Sequence, residues 1–190
     1  MTTLAETIMT GVKTGLINAR VAGPAKVVKF NSALQRVDVQ LTIQQIINGE
    51  NVSHTVLFDL PLVFPTAGGF SITFPVSIDD EVLILYSDRC IDGWLESGEV
   101  SRQITHRAHD ISDGFAIVGV KSEPNAIQGY SEDHLEIRDD SGNQAIRLNS
   151  DGKIEIETNG QDVIIDGISW KTHYHDCPSG GGPSGPPQNI

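Results

Sequence analysis

Apolar residues fall along this chain in three rhythms. In the first twenty residues Leu4, Ile8 and Val12 recur every fourth position with polar residues between them. That is one narrow stripe on a short helix, predicted to end near Gly15. A helix this short is marginal alone and is expected to pack on its own domain or on a partner. From Gly23 to Val120 the period shortens to two. Residues 25–30 and 35–43 carry apolar side chains at alternate positions (Val37, Val39, Leu41, Ile43) on either side of the turn residues Asn31-Ser32. Asn48-Gly49 marks a hairpin turn ahead of residues 56–58. Pro61, Pro65, Gly68-Gly69 and Pro75 punctuate the next stretch, and Asp79-Asp80 precedes a buried-looking strand over 81–86.

After Pro124 the rhythm changes again. Leu135/Ile137, Ile146/Leu148, Ile154/Ile156 and Val163/Ile165 are four apolar pairs with i, i+2 spacing, their first members 11, 8 and 9 residues apart. Between them lie Asp139-Asp140-Ser141-Gly142-Asn143, Asn149-Ser150-Asp151-Gly152 and Asn159-Gly160, all strong turn formers. This is a loose strand-and-turn repeat whose single copy offers only a thin apolar face. It can be buried as a meander on the preceding domain, or by winding with two identical chains into a triangular β-prism. The predicted fold class is therefore all-β. Residues 1–20 form a helix or arm, and 21–125 a small closed barrel such as an OB-fold, with a β-sandwich as the alternative. Residues 126–170 form a trimeric β-helical shaft, and 171–190 a tip and cap.

Charge sharpens this division. The chain has 13 Lys+Arg against 25 Asp+Glu, a formal net charge of −12. Nucleic acid is disfavoured as a partner, because phosphate backbones demand clustered positive charge. Electrostatic docking on anionic lipid is disfavoured for the same reason. Ten of the acids lie between Glu132 and Asp166, against only Arg138, Arg147 and Lys153, which fits the wet outer face of a narrow element. No apolar run approaches the roughly 20 residues that span a bilayer. The N-terminus lacks the basic-then-apolar pattern of a signal peptide, and Cys90 and Cys177 make no disulfide framework, so reduced thiols are expected.

The candidate chemistry is near the C-terminus, in Lys171-Thr172-His173-Tyr174-His175-Asp176-Cys177. On an extended strand His173 and His175 point to one side and Tyr174 to the other. Two neutral imidazoles are good transition-metal ligands but too few to close a site. Three copies meeting at a threefold axis would supply six nitrogens, so the pair points to a trimer with an octahedral metal at its tip. A frayed terminus carrying two surface histidines accounts for the spacing equally well. A His-His-Cys zinc site using Cys177 is a lesser alternative, because Pro178 interrupts the strand.

Several segments together carry a family resemblance. They are Leu60-Pro61-Leu62-Val63-Phe64-Pro65, Gly68-Gly69-Phe70-Ser71-Ile72-Thr73-Phe74-Pro75, Asp80-Glu81-Val82-Leu83-Ile84, Ser87-Asp88-Arg89-Cys90-Ile91-Asp92-Gly93-Trp94 and His106-Arg107-Ala108-His109-Asp110 with Ser112-Asp113-Gly114. With the acidic repeats and the His173/His175 pair, their order resembles the central spike proteins of contractile phage-tail baseplates. The resemblance covers nearly the whole chain, though Asp79 stands where such proteins often carry Gly. It implies an N-terminal OB domain that joins baseplate hub or tail-tube proteins, a homotrimeric β-helical shaft, and one iron ion per trimer held by His173 and His175 of each chain, with nickel and zinc as lesser candidates. It implies a virion protein that crosses the host outer membrane transiently when the sheath contracts, and no enzyme activity.

Rival classes have weaker footing. His106-x-x-His109-Asp110 lacks the Glu of a His-Glu-x-x-His protease and lies in a polar stretch without helical periodicity. Asp79/Asp80 and Asp139/Asp140 could be read as paired acids for glycoside cleavage, but adjacent acids at strand starts and turns are ordinary turn formers. Trp94, Tyr86 and Phe70 could stack on carbohydrate in a binding module, with burial in the core as the competing role.

Overall fold

The computed structural model describes residues 3–175, which divide into two compact units between Asn125 and Ala126. The first opens with helix α1, Leu4–Asn18. Its start is fixed by a reciprocal cap: the Thr3 hydroxyl accepts the Glu6 N–H and the Glu6 carboxylate accepts the Thr3 N–H at 2.7 Å. The helix runs through Gly15, where the sequence pattern ends it, and closes with the Ala19 N–H on the Gly15 and Leu16 carbonyls. One glycine costs only about 1 kcal/mol in a helix interior, and Leu16 extends the apolar stripe by another turn. All its described side chains, including Leu4, Ile8, Met9, Val12 and Leu16, are exposed, so of the two expected packings the one on its own domain is absent among the described residues.

Strands β1 (Ala22–Asn31) and β2 (Arg36–Leu41) follow. A small hairpin, β3 (Gln45–Ile47) and β4 (Glu50–Val52), turns at Asn48-Gly49. Both turn residues have positive φ, 54° and 84°, as a two-residue hairpin requires. Next come β5 (Leu57–Val63) and a second short hairpin, β6 (Thr66–Ala67) with β7 (Phe70–Ser71). β8 (Glu81–Tyr86), helix α2 (Asp92–Ser97) and β9 (Gly114–Val118) complete the unit. Five of these strands close into a barrel in the order β1-β2-β5-β9-β8, with β8 returning to β1. All contacts are antiparallel except β5 with β9. The unit is an OB-like barrel.

Alternation specifies its interior. On β2 the buried set is Val37, Val39 and Leu41, and on β8 it is Val82, Ile84 and Tyr86. With Ala25, Val27, Leu57, Leu60, Leu62, Phe64 and Ala116 they form one core. Closure needs strong coiling, and bulges on both sides of β2 supply it. The β1 register skips Val28 between Val27↔Val39 and Lys29↔Asp38, and β5 carries an extra residue between Val37↔Leu60 and Val39↔Leu57. At the second bulge Asp59 has φ 58°, and its N–H is taken by the Asp38 carboxylate at 2.9 Å. Pro61, which reads as punctuation in the sequence, lies inside β5. It pairs with Arg36, the first residue of β2, and the parallel ladder begins one residue later at Leu62.

The second unit contains a three-stranded antiparallel meander, β10 (Leu135–Arg138), β11 (Gln144–Leu148) and β12 (Ile154–Thr158). A final hairpin, β13 (Ile164–Ile165) with β14 (Ile168–Ser169), turns at Asp166-Gly167, φ 50° and 82°. No helix among the described residues is long and apolar enough to cross a membrane.

The barrel is least tolerant where β9 meets β8. A Cβ built on Gly114 would lie 2.9 Å from the Ile84 Cγ2 methyl and 3.5 Å from the Tyr86 ring. Ile84 is fully buried and its branched methyl has nowhere to retreat. Gly114→Ala is expected to destabilise the barrel by about 1–3 kcal/mol, the usual cost of overpacking, measured as a lower denaturant midpoint with an unchanged slope.

Candidate functional site

The meander is inside out for a free-standing sheet. Its register aligns Leu135↔Leu148↔Ile154 in one cross-strand row and Ile137↔Ile146↔Ile156 in the next, all on one face. Those six side chains remain 41–70% exposed. The opposite face, which carries Glu136, Arg147 and Glu155 in one row, is the internally satisfied one. The Glu136 carboxylate accepts Arg147 Nε at 2.8 Å and the Ser131 N–H at 3.1 Å, with His134 Nε2 at 3.3 Å. Arg147 comes first among the groups that hold the Glu136 carboxyl down to about 2, followed by the Ser131 N–H. Arg147 also faces Glu157 at 3.9 Å, and the Arg138 guanidinium donates to the Gln128 carbonyl. Each Leu or Ile of the apolar face would gain about 1.5–3 kcal/mol on full burial.

His173 and His175 lie beyond β14. The chain there is a turn followed by a single bridge residue at Tyr174, rather than the regular extended strand expected from the sequence. Hydrogen bonding around Ser169 is the cause. The buried Ser169 hydroxyl accepts the Thr172 N–H at 2.8 Å, and its carbonyl accepts the His173 N–H at 3.1 Å. Asp162 braces the same turn by accepting the Lys171 N–H at 3.0 Å. The Ser169 hydroxyl is the chief group holding the Asp162 carboxyl below the usual range. The two rings still come together, with centroids 5.2 Å apart and an interplanar angle of 80°. His173 Nδ1 lies 2.9 Å from the Ser169 carbonyl and 3.0 Å from that of Trp170. A carbonyl can only accept, so Nδ1 facing these two is the protonated nitrogen, which leaves the Nε2 lone pair for a ligand. A backbone-oriented imidazole of this kind is a usual support for a metal ligand. The donor set thus fits a borderline metal such as iron, nickel or zinc, but the described residues of one chain supply only these two imidazoles here. Cys177 and the Gly/Pro-rich tail lie outside the described residues.

The other candidates do not converge. The His109 Nδ1 lies 3.0 Å from the Arg20 carbonyl, while Asp110 accepts both the N–H and hydroxyl of Ser112 at 2.9 and 2.6 Å. Asp80 caps the Ser77 N–H at 2.8 Å. Asp79 takes φ 72°, a conformation glycine adopts freely. Asp139 accepts the Ser141 hydroxyl and the Gln144 N–H, as a turn former does. Of the aromatics, Tyr86 is buried, Trp94 packs on Phe115 at 5.7 Å, and Phe70 is 83% exposed.

Sequence pattern alone does not single out Arg107 and Asp113. Asp113 is 0% exposed, accepts the Ile91 N–H at 3.1 Å, and takes Arg107 bidentately at 2.8 and 3.0 Å. The same Arg107 Nη2 reaches Asp92 at 2.9 Å and Cys90 Sγ at 3.2 Å. Cys90, Asp92 and Asp113 are the only trio of metal-type ligands found close together among the described residues, and a guanidinium already serves as their cation. The ion pair pins the loop before β9 to the segment before α2. Both members lie in segments that carry the family resemblance, but only their contact, six residues apart around a turn, reveals the role.

Arg107 holds the Asp113 carboxyl below its ordinary range. A depressed folded-state pKa contributes stability above the unfolded carboxyl value and loses it as pH falls through the folded one. Arg107→Leu is expected to cost about 3 kcal/mol, the low end for orphaning a buried charge, because the guanidinium is still partly reached by solvent. The variant's acid unfolding should also begin at higher pH than the parent's, as followed by circular dichroism.

Residues 23–119, which contain the whole barrel after the first residue of β1, match the family model described as phage protein Gp138 N-terminal domain. No curated protein matches the chain. The match spans half of the sequence, and the chain belongs to this family of phage proteins.

Proposed function

We propose that this chain is the trimeric central spike of a contractile phage tail, a structural protein that punctures the host outer membrane when the sheath contracts. The observation that carries the reading is the meander with its apolar face uncovered and its charged face satisfied. Two further copies could cover that face, and a closed threefold prism would also leave no sheet edge free. The charged outer surface of such a prism would stay hydrated and repel lipid phosphate, which suits a shaft that must pass through a membrane without sticking. The barrel, the part that matches the phage family, would be the attachment module toward hub or tail-tube proteins, and exposed Phe70 supplies a hydrophobic contact for that role.

In this reading His173 and His175 of three chains would hold one iron ion, which would act as a structural crosslink. Six imidazoles suit octahedral iron better than four-coordinate structural zinc. A fully protein-ligated ion leaves no open position for water or substrate, so the proposed role is mechanical and not catalytic. The ends of a β-shaft fray first, and a clamp at that point would resist blunting.

Two variants separate the parts of this proposal. Ile146→Asp, in the centre of the apolar face, should abolish assembly because each copy would bury a carboxylate among apolar side chains; native mass spectrometry should then show monomers, and an intact trimer would contradict the shaft. His173→Ala combined with His175→Ala should remove the metal, read by elemental analysis, while leaving the trimer mass unchanged. A full complement of iron in that double variant, or none in the carefully purified parent, would contradict the tip.

A further inference from the structure

A cavity of about 670 Å³ lies at one end of the barrel, between the end of α1, the start of β1 and the β3–β4 hairpin. Its walls are partly apolar, from Ile17, Val21, Leu41, Ile43 and Ile46, and partly polar, from Arg20, His54 and Tyr86. Two features mark it as built for a ligand. The Arg20 side chain is half-buried, yet makes no ion pair or hydrogen bond among the described residues. The Tyr86 side chain is nine-tenths buried, and its hydroxyl has no partner. Leaving a buried hydroxyl unpaired is destabilising, so a fold that keeps one there is missing an acceptor.

The electrostatics place these groups around one spot. Burial pushes the His54 imidazole pKa down and the Arg20 charge adds to the effect. Burial raises the Tyr86 phenol, and the same Arg20 charge opposes it. Asp110 also feels Arg20, but it is held chiefly by Ser112, whose N–H and hydroxyl it accepts. The backbone carrying Arg20 is fixed by His109 on its carbonyl and by the Tyr86 N–H on the Val21 carbonyl at 2.9 Å. The barrel therefore presents a cation on a fixed backbone and a phenol donor beside apolar walls, with Asp110, the anion within reach of Arg20, engaged chiefly by Ser112.

We propose that this cavity binds a carboxylate carried on an aliphatic body, with Arg20 as charge partner, the Tyr86 hydroxyl as donor, and Ile17, Val21, Ile43 and Ile46 around the apolar part. A phosphate dianion suits it less. Only one cation lines the cavity, and a chain of net charge −12 disfavours extra negative charge. Guanidinium geometry matches one carboxylate bidentately. Two sources share this chemistry: a free aliphatic acid, and a Glu or Asp side chain on an apolar segment of another polypeptide. The proposal concerns the barrel alone and stands whether or not the chain is a spike.

The test uses the full-length protein and three probes, hexanoate, hexanol and a capped leucyl-glutamyl-leucine tripeptide, titrated while the NMR signals of Tyr86 and His54 are followed. Hexanoate should saturate and bind at least tenfold tighter than hexanol. Arg20→Gln should lose at least tenfold for hexanoate and little for hexanol, because hydrogen bonds to charged groups are worth about 1.5–3 kcal/mol. Tyr86→Phe should melt no lower than the parent, since it removes an unsatisfied group, yet bind hexanoate several-fold more weakly; a purely packing role for Tyr86 would leave binding unchanged. Tighter binding of the tripeptide than of hexanoate assigns the site to an acidic side chain, and the reverse order assigns it to a free acid. Equal binding of hexanoate and hexanol, unchanged hexanoate affinity in Arg20→Gln, or no saturation by hexanoate or the tripeptide would overturn the proposal.

Discussion

A sheet has two faces, and in the β10–β12 meander the face that is finished within one chain is the charged one. Glu136 gathers Arg147, His134 and the Ser131 N–H on that side, while Leu135, Ile137, Ile146, Leu148, Ile154 and Ile156 stand exposed on the other. Water tolerates the first arrangement well and the second poorly, because apolar surface gains roughly 25 cal/mol per Å² when it is removed from solvent. The proposed trimer, the narrow shaft and the clustering of six imidazoles all depend on that imbalance. A surface-packed sheet would instead place its apolar side inward and its carboxylates in solvent.

The barrel obeys a different logic, being self-sufficient in its core and unfinished on its surface. Its apolar residues close on themselves through bulges on both flanks of β2, and Asp113 with Arg107 pins the long excursion before β9. What stays open is outside: the apolar stripe of α1, Phe70 on the β6–β7 hairpin, and the cavity where Arg20 and Tyr86 lack partners among the described residues. These surfaces suit a protein that works while held by others.

Much of this is legible in the sequence wherever a local period or turn code carries the information. The alternation at Val37, Val39 and Leu41 and again over β8 locates two barrel strands, and Asn48-Gly49 locates a hairpin. The i, i+2 pairs find β10, β11 and β12, and in the last pair Ile165 lies within β13. The failures are equally physical. Pro61 reads as a break because the sequence does not show that its neighbour strand stops there. Helix α1 outruns Gly15 because even its two glycines, Gly11 and Gly15, are a small penalty spread over fifteen residues. Asp166-Gly167 gives little signal because the strands it joins are two residues each. Beyond β14, strand parity predicts that His173 and His175 come together, but the structure brings them together through a turn organised by Ser169 and Asp162. Side-chain-to-backbone bonds of that kind have no periodic signature. The Arg107–Asp113 pair and the Arg20 cavity depend on contacts between separate segments, which no window along the chain contains.

Sedimentation equilibrium of the full-length chain over a wide concentration range, with amide exchange measured on the same sample, tests the central claim most directly. The account predicts a single species at three times the 20.5 kDa chain mass, with the amides of β10–β12 protected as strongly as those of the barrel. A stable 20.5 kDa monomer in which those amides are protected would contradict it.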